Sequence, residues 1–193
     1  MIIGFTGTKY SGKDTGADYL VKEYGFVKYS MAKPLKDAVK ILFNFDNKQL
    51  YTGKKEEIDK RWGVSPRNVL QFVGTDLLRN NLDKLLPGIG GDFWIKLFSF
   101  WYKKQPSGTR VVIADIRFDN EEKNIHKNNG YIIRANRGKD KYKDKHESEK
   151  GIEKLKVDCD IINDKDIPYY YNEIDKFMKS IEVSKISAED IDK

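Results

Sequence analysis

The sequence predicts an α/β fold, a three-layer sandwich around a central parallel sheet. Short apolar, β-branched runs alternate with stretches of helical spacing along the chain. The first run, Met1-Ile2-Ile3-Gly4-Phe5, leads into a glycine-rich turn, Gly7-Thr8-Lys9-Tyr10-Ser11-Gly12-Lys13, and then into helical spacing. A later run, Arg110-Val111-Val112-Ile113-Ala114, is apolar throughout and ends on an acid, Asp115. Strand, glycine turn and helix in that order, with an acid closing a central strand, suit a sheet that binds phosphate at its carboxyl edge.

The elements follow in order. Residues 1–6 read as the first strand, and Thr15 to Tyr24 as the first helix, stopped by Gly25. Phe26 to Ser30 is a short strand. Pro34 opens a helix to about Phe43, in which Leu35, Ala38, Val39 and Leu42 share a face. Residues 44–105 carry helical spacing and no strong strand. There Ser65-Pro66 reads as an N-cap and first helical residue, and Asp92 as the cap of a helix through Tyr102. Arg110 to Asp115 is the clearest central strand. Residues 118–129 read as a helix, Tyr131 to Ala135 and Cys159 to Ile162 as strands, and Pro168 to about Ile181 as the last helix. The expected organisation is a single domain over 1–182. Its core is 1–30 and 106–182, with a helical region at about 31–105, a charged lid at about 137–156 and a polar tail at 183–193.

Composition narrows the function. At 193 residues the chain is long enough for a real core, and 39% hydrophobic with 34% charged residues fits a globular protein. No apolar run approaches the roughly 20 residues needed to span a bilayer, so no membrane role is expected. The chain opens on strand-like residues without a basic flank or a small-residue cleavage site, so no signal segment is expected. The single cysteine, Cys159, excludes an internal disulfide and offers no metal cluster, and a reducing, cytoplasmic compartment is expected. The net charge of +6 suits an anionic partner. Basic residues are scattered among acids, without a long basic run, a helix-turn-helix or an aromatic-basic platform. A small anion such as a nucleotide is therefore expected, and a stable nucleic-acid complex is not.

The candidate chemistry starts at the glycine turn. Gly7 and Gly12 let backbone N–H groups turn inward around a polyphosphate, Lys9 and Ser11 lie within the turn, and Lys13 brings a mobile charge to the outer phosphates. Asp14 stands where Ser or Thr usually ligates magnesium, and Thr15 follows it. Only seven of the 36 basic residues are arginine, so Arg67, Arg79, Arg117, Arg134 and Arg137 are candidates for sites that need a planar bidentate fork. Arg67, Gln71 and Arg79 recur at helical spacings near one face. Lys33 lies just beyond a strand end. Trp94 is placed either against a base or in the core beside Phe93, Leu97, Phe98 and Trp101.

Four stretches together resemble the viral and phage deoxynucleoside monophosphate kinases, a branch of the nucleoside monophosphate kinase-like phosphate-loop fold. They are Ser11-Gly12-Lys13-Asp14-Thr15, the segment from Ser65 to Arg79 that includes Gln71-Phe72-Val73-Gly74-Thr75-Asp76, Asp115-Ile116-Arg117-Phe118-Asp119-Asn120-Glu121, and His146-Glu147-Ser148-Glu149. The resemblance also takes in Asp160-Ile161-Ile162-Asn163-Asp164 and spans roughly residues 1–182. Within this family an Asp after the lysine is ordinary.

The resemblance implies ATP-dependent phosphorylation of a deoxynucleoside monophosphate, with magnesium. Lys13 and the loop amides would hold the donor phosphates. Thr15, Asp14 and Asp115 would organise magnesium, directly or through water, with acceptor positioning as the other reading of Asp14. Lys33, Arg67, Gln71, Asp76, Arg79, Trp94, Asp115 and Glu149 would form the acceptor site. Arg134 and Arg137 would meet the donor phosphates from the lid, with Lys13, Asp14, Arg79, Arg117 and Arg137 closest to the transferred group. His146 reads as a hydrogen-bonding lid residue. The implied partner is a small-molecule deoxynucleotide in the host cytoplasm, with a homodimer left open. Dephospho-coenzyme A kinase and phosphomevalonate kinase are the neighbouring alternatives, and a nucleotide-dependent nucleic-acid-binding protein is the distant one.

Overall fold

Five short strands form one sheet in the order β2-β3-β1-β4-β5, and every neighbouring pair is parallel. They are β1 (Ile2–Thr6), β2 (Val27–Tyr29), β3 (Val111–Ile113), β4 (Tyr131–Asn136) and β5 (Cys159–Ile162), in a computed structural model that describes residues 1–137 and 151–191. The helices are α1 (Lys13–Tyr24), α2 (Lys33–Leu42), α3 (Asn47–Tyr51), α4 (Pro66–Gln71), α5 (Phe93–Tyr102), α6 (Asp119–Lys127) and α7 (Ile167–Ile191).

Period-two alternation assigns each strand residue to a layer. Ile2, Val111, Ile113 and Ile132 pack with Leu35 and Val39 of α2, Val69 of α4, Trp94 and Phe98 of α5 and Ile125 of α6. Their neighbours Ile3, Val112 and Ile133 turn to the opposite face and pack with Leu20 of α1 and Tyr170, Ile174 and Met178 of α7. Both faces are covered, as the near-continuous apolar runs require. The layers pin α1 as well. The Tyr19 and Tyr24 hydroxyls donate to Asp175 of α7 at 2.9 and 2.8 Å, and Tyr19 stacks on Tyr171 with centroids 4.0 Å apart. Because α1 begins at the glycine turn, this clamp holds the turn from behind.

Strand β1 lies between β3 and β4, which makes its carboxyl end the switch point of the sheet. The register sets Thr6 beside Arg134 and Gly4 beside Ile113. Beyond β3 the chain stays tied to β1. The Ile116 N–H donates to the Phe5 carbonyl at 3.1 Å, and the Thr6 hydroxyl donates to the Ile116 carbonyl at 2.9 Å. The segment after Asp115 is thereby folded over the end of β1.

Four local expectations are corrected. In α2 only Leu35 and Val39 are buried, while Ala38 and Leu42 face outward. The chain turns away at Asn44, with φ 50°, and buries Phe45 instead. Asp92 makes no side-chain cap; its carboxylate accepts from Asn120 at 2.7 Å. The last helix runs on to Ile191, through the stretch expected to begin a polar tail, because nothing from 182 to 191 is glycine or proline. Finally, α4 does not continue as an α-helix. Residues Phe72–Leu77 form a π-helical segment, with the Leu78 N–H on the Val73 carbonyl at 3.0 Å and the Asn80 N–H on the Thr75 carbonyl at 2.9 Å. Ser65 is the expected cap of α4, its hydroxyl accepting from the Asn68 N–H at 3.2 Å.

Candidate active site

A cleft of about 630 Å³ opens at the carboxyl edge of the sheet, between the glycine turn and the helical region 31–105. Lys9, Ser11, Gly12, Lys13, Asp14, Thr15, Arg67, Gln71, Arg79, Trp94, Asp115, Arg117 and Arg137 all line it. Thirteen residues singled out along the sequence thus meet in one cavity.

The glycine turn forms one wall of the cleft. Gly7 and Gly12 both hold positive φ, 136° and 105°. A Cβ at Gly7 would stand 2.2 Å from the Ala135 carbonyl, and one at Gly12 2.3 Å from the Asn163 amide nitrogen. Helix α1 starts at Gly12 with no side-chain cap, so its first N–H groups and its dipole are presented to the cleft. Ser11 is only 1% exposed, yet its Oγ has no hydrogen-bond partner among the described residues, an orphan that suits a loop shaped around a ligand. Lys13 Nζ lies over the loop mouth, donating to the Gly7 carbonyl at 2.7 Å and to the Thr8 carbonyl.

Two residues brace this loop that the residue-by-residue reading did not single out. The Asn163 side chain, just past β5, donates to the Ser11 carbonyl at 2.8 Å, and the Tyr170 hydroxyl to the Gly12 carbonyl at 3.2 Å. Gly12→Ala is therefore expected to weaken phosphate binding at the loop at least tenfold, because it adds backbone strain of about 1–3 kcal/mol and drives a methyl group into Asn163. A nucleotide titration of the variant against wild type checks this.

Asp115 joins the wall built by the glycine turn to the segment that opens the helical region. Its carboxylate accepts from the Ser30 hydroxyl at 2.7 Å and from the N–H groups of Met31 and Ala32 at 2.9 and 3.0 Å. The parallel pairing of β2 with β3 brings these strand ends together. Asp14 is more open: its side chain is 80% exposed and pairs with Lys28 of β2 at 3.0 Å. Lys28 also pairs with Asp18. Burial acts to lower the Lys28 ammonium, but the two carboxylates outweigh it and hold it above its ordinary value.

These residues fit a magnesium ion that arrives on nucleotide phosphates and needs only one or two protein groups. Thr15 and Asp14 would be nearest to it. Asp115, with both oxygens engaged, would act through water. Among the described residues no group of three or more His, Cys, Asp or Glu could hold a metal on its own.

The opposite wall is rich in cations. Lys36 and Lys55 line it with Arg67, and neither lysine was among the sequence candidates. Burial lowers the Lys36 ammonium, with Arg117 and Lys28 adding to the effect and Asp115 and Asp14 opposing it. Burial also lowers Lys55, and the nearby charges of Arg67, Lys9 and Lys36 lower it further. This crowding disfavours the charged lysines and favours a polyanion among them. The apolar part of the wall comes from Met31, Leu35, Leu70 and Trp94. Trp94 takes the core setting and also reaches the cleft. It is buried in the core cluster and still lines the cleft, its indole N–H donating to the Gly74 carbonyl in the π-helical segment at 3.0 Å.

Arg79 is only 7% exposed and sits at the cleft floor. Its guanidinium donates to Glu121, to the Gly91 carbonyl and to Asn120, the last two at 3.1 Å, and stacks on the Phe118 ring at 3.5 Å. The other Glu121 oxygen accepts from the N–H groups of Arg117 and Phe118 at 2.9 and 3.3 Å. Burial pushes the Glu121 carboxyl up from its ordinary value, against the pull of Arg79 and the Arg117 and Phe118 amides. One buried pair thus locks the helical region 31–105 to the loop that carries Arg117.

Some expected site residues lie elsewhere. Lys33 is 66% exposed and pairs with Asp37 at 2.6 Å, one turn along its own helix; Lys36, on the inner face, takes the place expected for it. Asp76 does not line the cleft, because the π-helical turn shifts the phase of the segment and brings Gly74 and Thr75 to it. Gly7 shapes the loop from beneath without lining the cleft. Arg134 is a tether rather than a lid residue. It donates to the Leu155 carbonyl at 2.6 Å and reaches Asp160 of β5 at 3.3 Å, while Arg137, three residues on, lines the cleft. Glu149, His146 and most of the expected lid lie outside the described residues.

Comparison with known proteins shows the family of the chain. The profile of the deoxynucleotide monophosphate kinase family matches residues 1–59 and 42–174. A protein of Acanthamoeba polyphaga mimivirus named as a deoxynucleotide monophosphate kinase is 41% identical over 182 residues, covering 90% of this chain and 94% of its own. The deoxynucleotide monophosphate kinase of Enterobacteria phage T4 is 25% identical, covering 92% of this chain and 98% of its own. Among solved structures, a dephospho-CoA kinase from Campylobacter jejuni superposes with a TM-score of 0.52 at 17% identity, covering 95% of this chain and 98% of that one, a likeness of fold alone. With a family profile over most of its length and a 41% identical relative, the chain belongs to the deoxynucleotide monophosphate kinase family.

Proposed function

We propose that this protein transfers the γ-phosphoryl group of ATP to the phosphate of a deoxynucleoside 5′-monophosphate, giving the diphosphate and ADP. The observation that carries the reading is a single cleft with a phosphate loop on one wall and a crowded cationic surface on the other. An oxygen of the acceptor phosphate attacks the γ-phosphorus, and the bond to the β-phosphate oxygen of ADP breaks. Two anions must be brought in line, so catalysis rests on positioning and charge neutralisation.

The loop amides and Lys13 hold the donor phosphates, and Lys9, at the edge of the loop beside Glu56 and Arg67, faces the acceptor phosphate as well. Lys36, Lys55, Arg67 and Arg117 receive the acceptor phosphate. Gln71, Trp94 and the apolar wall hold the base, and Arg79 keeps that wall in place. Arg137 is poised to meet the transferring group. Magnesium on the ATP phosphates supplies further charge neutralisation when bound. The host cytoplasm, where nucleoside monophosphates and ATP are both at hand, suits this reaction.

The test is a coupled ADP-release assay across the four deoxynucleoside monophosphates, dephospho-coenzyme A and phosphomevalonate. Turnover confined to the deoxynucleotides supports the assignment, and turnover confined to either of the others overturns it. The lysine shifts add a pH dependence with a defined sign. Lys36 and Lys55 lose their protons below the ordinary lysine value of 10.5, so acceptor affinity should fall as pH rises toward that value. Removing one of the two charges, as in Lys55→Met, should raise the acceptor KM more than it changes kcat and flatten the alkaline limb of the profile.

A further inference from the structure

Glu56 closes the 3-10 turn Gly53–Glu56 at the rim of the cleft. Its Oε1 accepts from Lys9 Nζ at 2.7 Å and lies 3.5 Å from Arg67 Nη1. Lys9 belongs to the glycine turn and Arg67 to α4, so one carboxylate oxygen spans the donor and acceptor walls. Both cations line the cleft. Burial acts to raise the Glu56 carboxyl, but Lys9, Arg67 and Lys55 outweigh it and hold it below its ordinary value, so it is ionised at neutral pH.

We propose that Glu56 is a tethered competitor for the acceptor's phosphate: it holds Lys9 and Arg67 at the rim of the cleft and yields both to the incoming phosphate. The inference rests on the kinase reading given above and adds a residue that sets acceptor affinity. Three features support competition over permanent positioning. The Arg67 contact is long and made to a single oxygen, far from the short bidentate geometry of a committed Arg–carboxylate pair. The Glu56 side chain is 41% exposed, so its carboxylate returns to water readily when displaced. A phosphate monoester carries a charge of about −1.5 to −2 and three acceptor oxygens, against one charge and two oxygens on Glu56.

The competitor acts on every phosphate that enters the acceptor side, including the product. It weakens acceptor binding and aids product release. It also keeps Lys9 occupied until a phosphate arrives.

The test compares Glu56→Gln with wild type by calorimetric titration of each deoxynucleoside monophosphate and of the matching unphosphorylated deoxynucleoside. Wild-type turnover is measured on the same preparations. Loss of the charge should tighten monophosphate binding by about 3–10-fold, the scale of two partly exposed ion pairs, and leave the deoxynucleoside unchanged. A matching melting temperature shows that the rim substitution leaves the fold intact. Unchanged or weaker monophosphate binding, with wild-type turnover present, overturns the competitor role and makes Glu56 a residue that orients Lys9 and Arg67. Absence of wild-type turnover on any deoxynucleotide removes the kinase reading and this inference together.

Discussion

Replacing Lys13 with methionine should lower kcat/KM by about 10²–10³-fold, roughly 2.7–4 kcal/mol of transition-state stabilisation. The Lys13 ammonium already lies across the loop mouth on the Gly7 and Thr8 carbonyls, where it is placed to follow negative charge as the phosphoryl group moves. Methionine keeps most of the stem and removes only the charge. The Gly7 and Thr8 carbonyls that Lys13 meets belong to the loop itself, so folding stability should change far less than catalysis. An ADP-release assay at saturating acceptor, paired with thermal unfolding, separates the two effects. A Lys13→Met enzyme with ordinary kcat/KM would place the transferring phosphoryl group away from the loop.

The second large effect is expected at Glu121. Glu121→Ala leaves the Arg79 guanidinium buried without its carboxylate and frees the N–H groups of Arg117 and Phe118. Removing one partner of a buried ion pair costs about 3–5 kcal/mol, so the variant should unfold at a markedly lower temperature. Activity should fall as well, because Arg117 and the Asp115 loop lose their anchor. Glu121→Gln keeps the shape and an acceptor oxygen and should lose less stability than the alanine variant. Denaturant unfolding of the three proteins ranks them. Equal stability of wild type and Glu121→Ala would show that the Arg79–Glu121 pair does not hold the cleft floor.

These two residues also show what the sequence makes legible. Lys13 sits in a contiguous pattern whose geometry follows from glycine torsions and a helix start, so its role can be read along the chain. The two central strands β1 and β3 are equally plain, because each is an apolar run buried on both faces. Glu121 is different. Its partner Arg79 is 42 residues away, and only the packing of α6 against the floor of the helical region joins them. Lys36 and Lys55 are two of many lysines in the sequence, and only burial distinguishes them.

The π-helical segment after Gln71 carries no signal that separates it from a continuing helix. That is why Asp76, at a plausible helical spacing, falls out of the cleft while Gly74 and Thr75 enter it. Arg134 and Arg137 look alike in the sequence as well. The register of β4 sends the first to Leu155 and Asp160 and leaves the second beside the loop. Scarcity of arginine pointed to the right residue type, and the sheet decided which copy faces the cleft.

The central claim is that one cleft carries a phosphoryl group directly from ATP to a nucleotide phosphate. Phosphorus NMR of the protein with ATP, magnesium and a deoxynucleoside monophosphate tests it most directly. The account predicts β-phosphate resonances of a deoxynucleoside diphosphate growing in step with those of ADP. ADP appearing with inorganic phosphate, and without the diphosphate for any of the four bases, would contradict it.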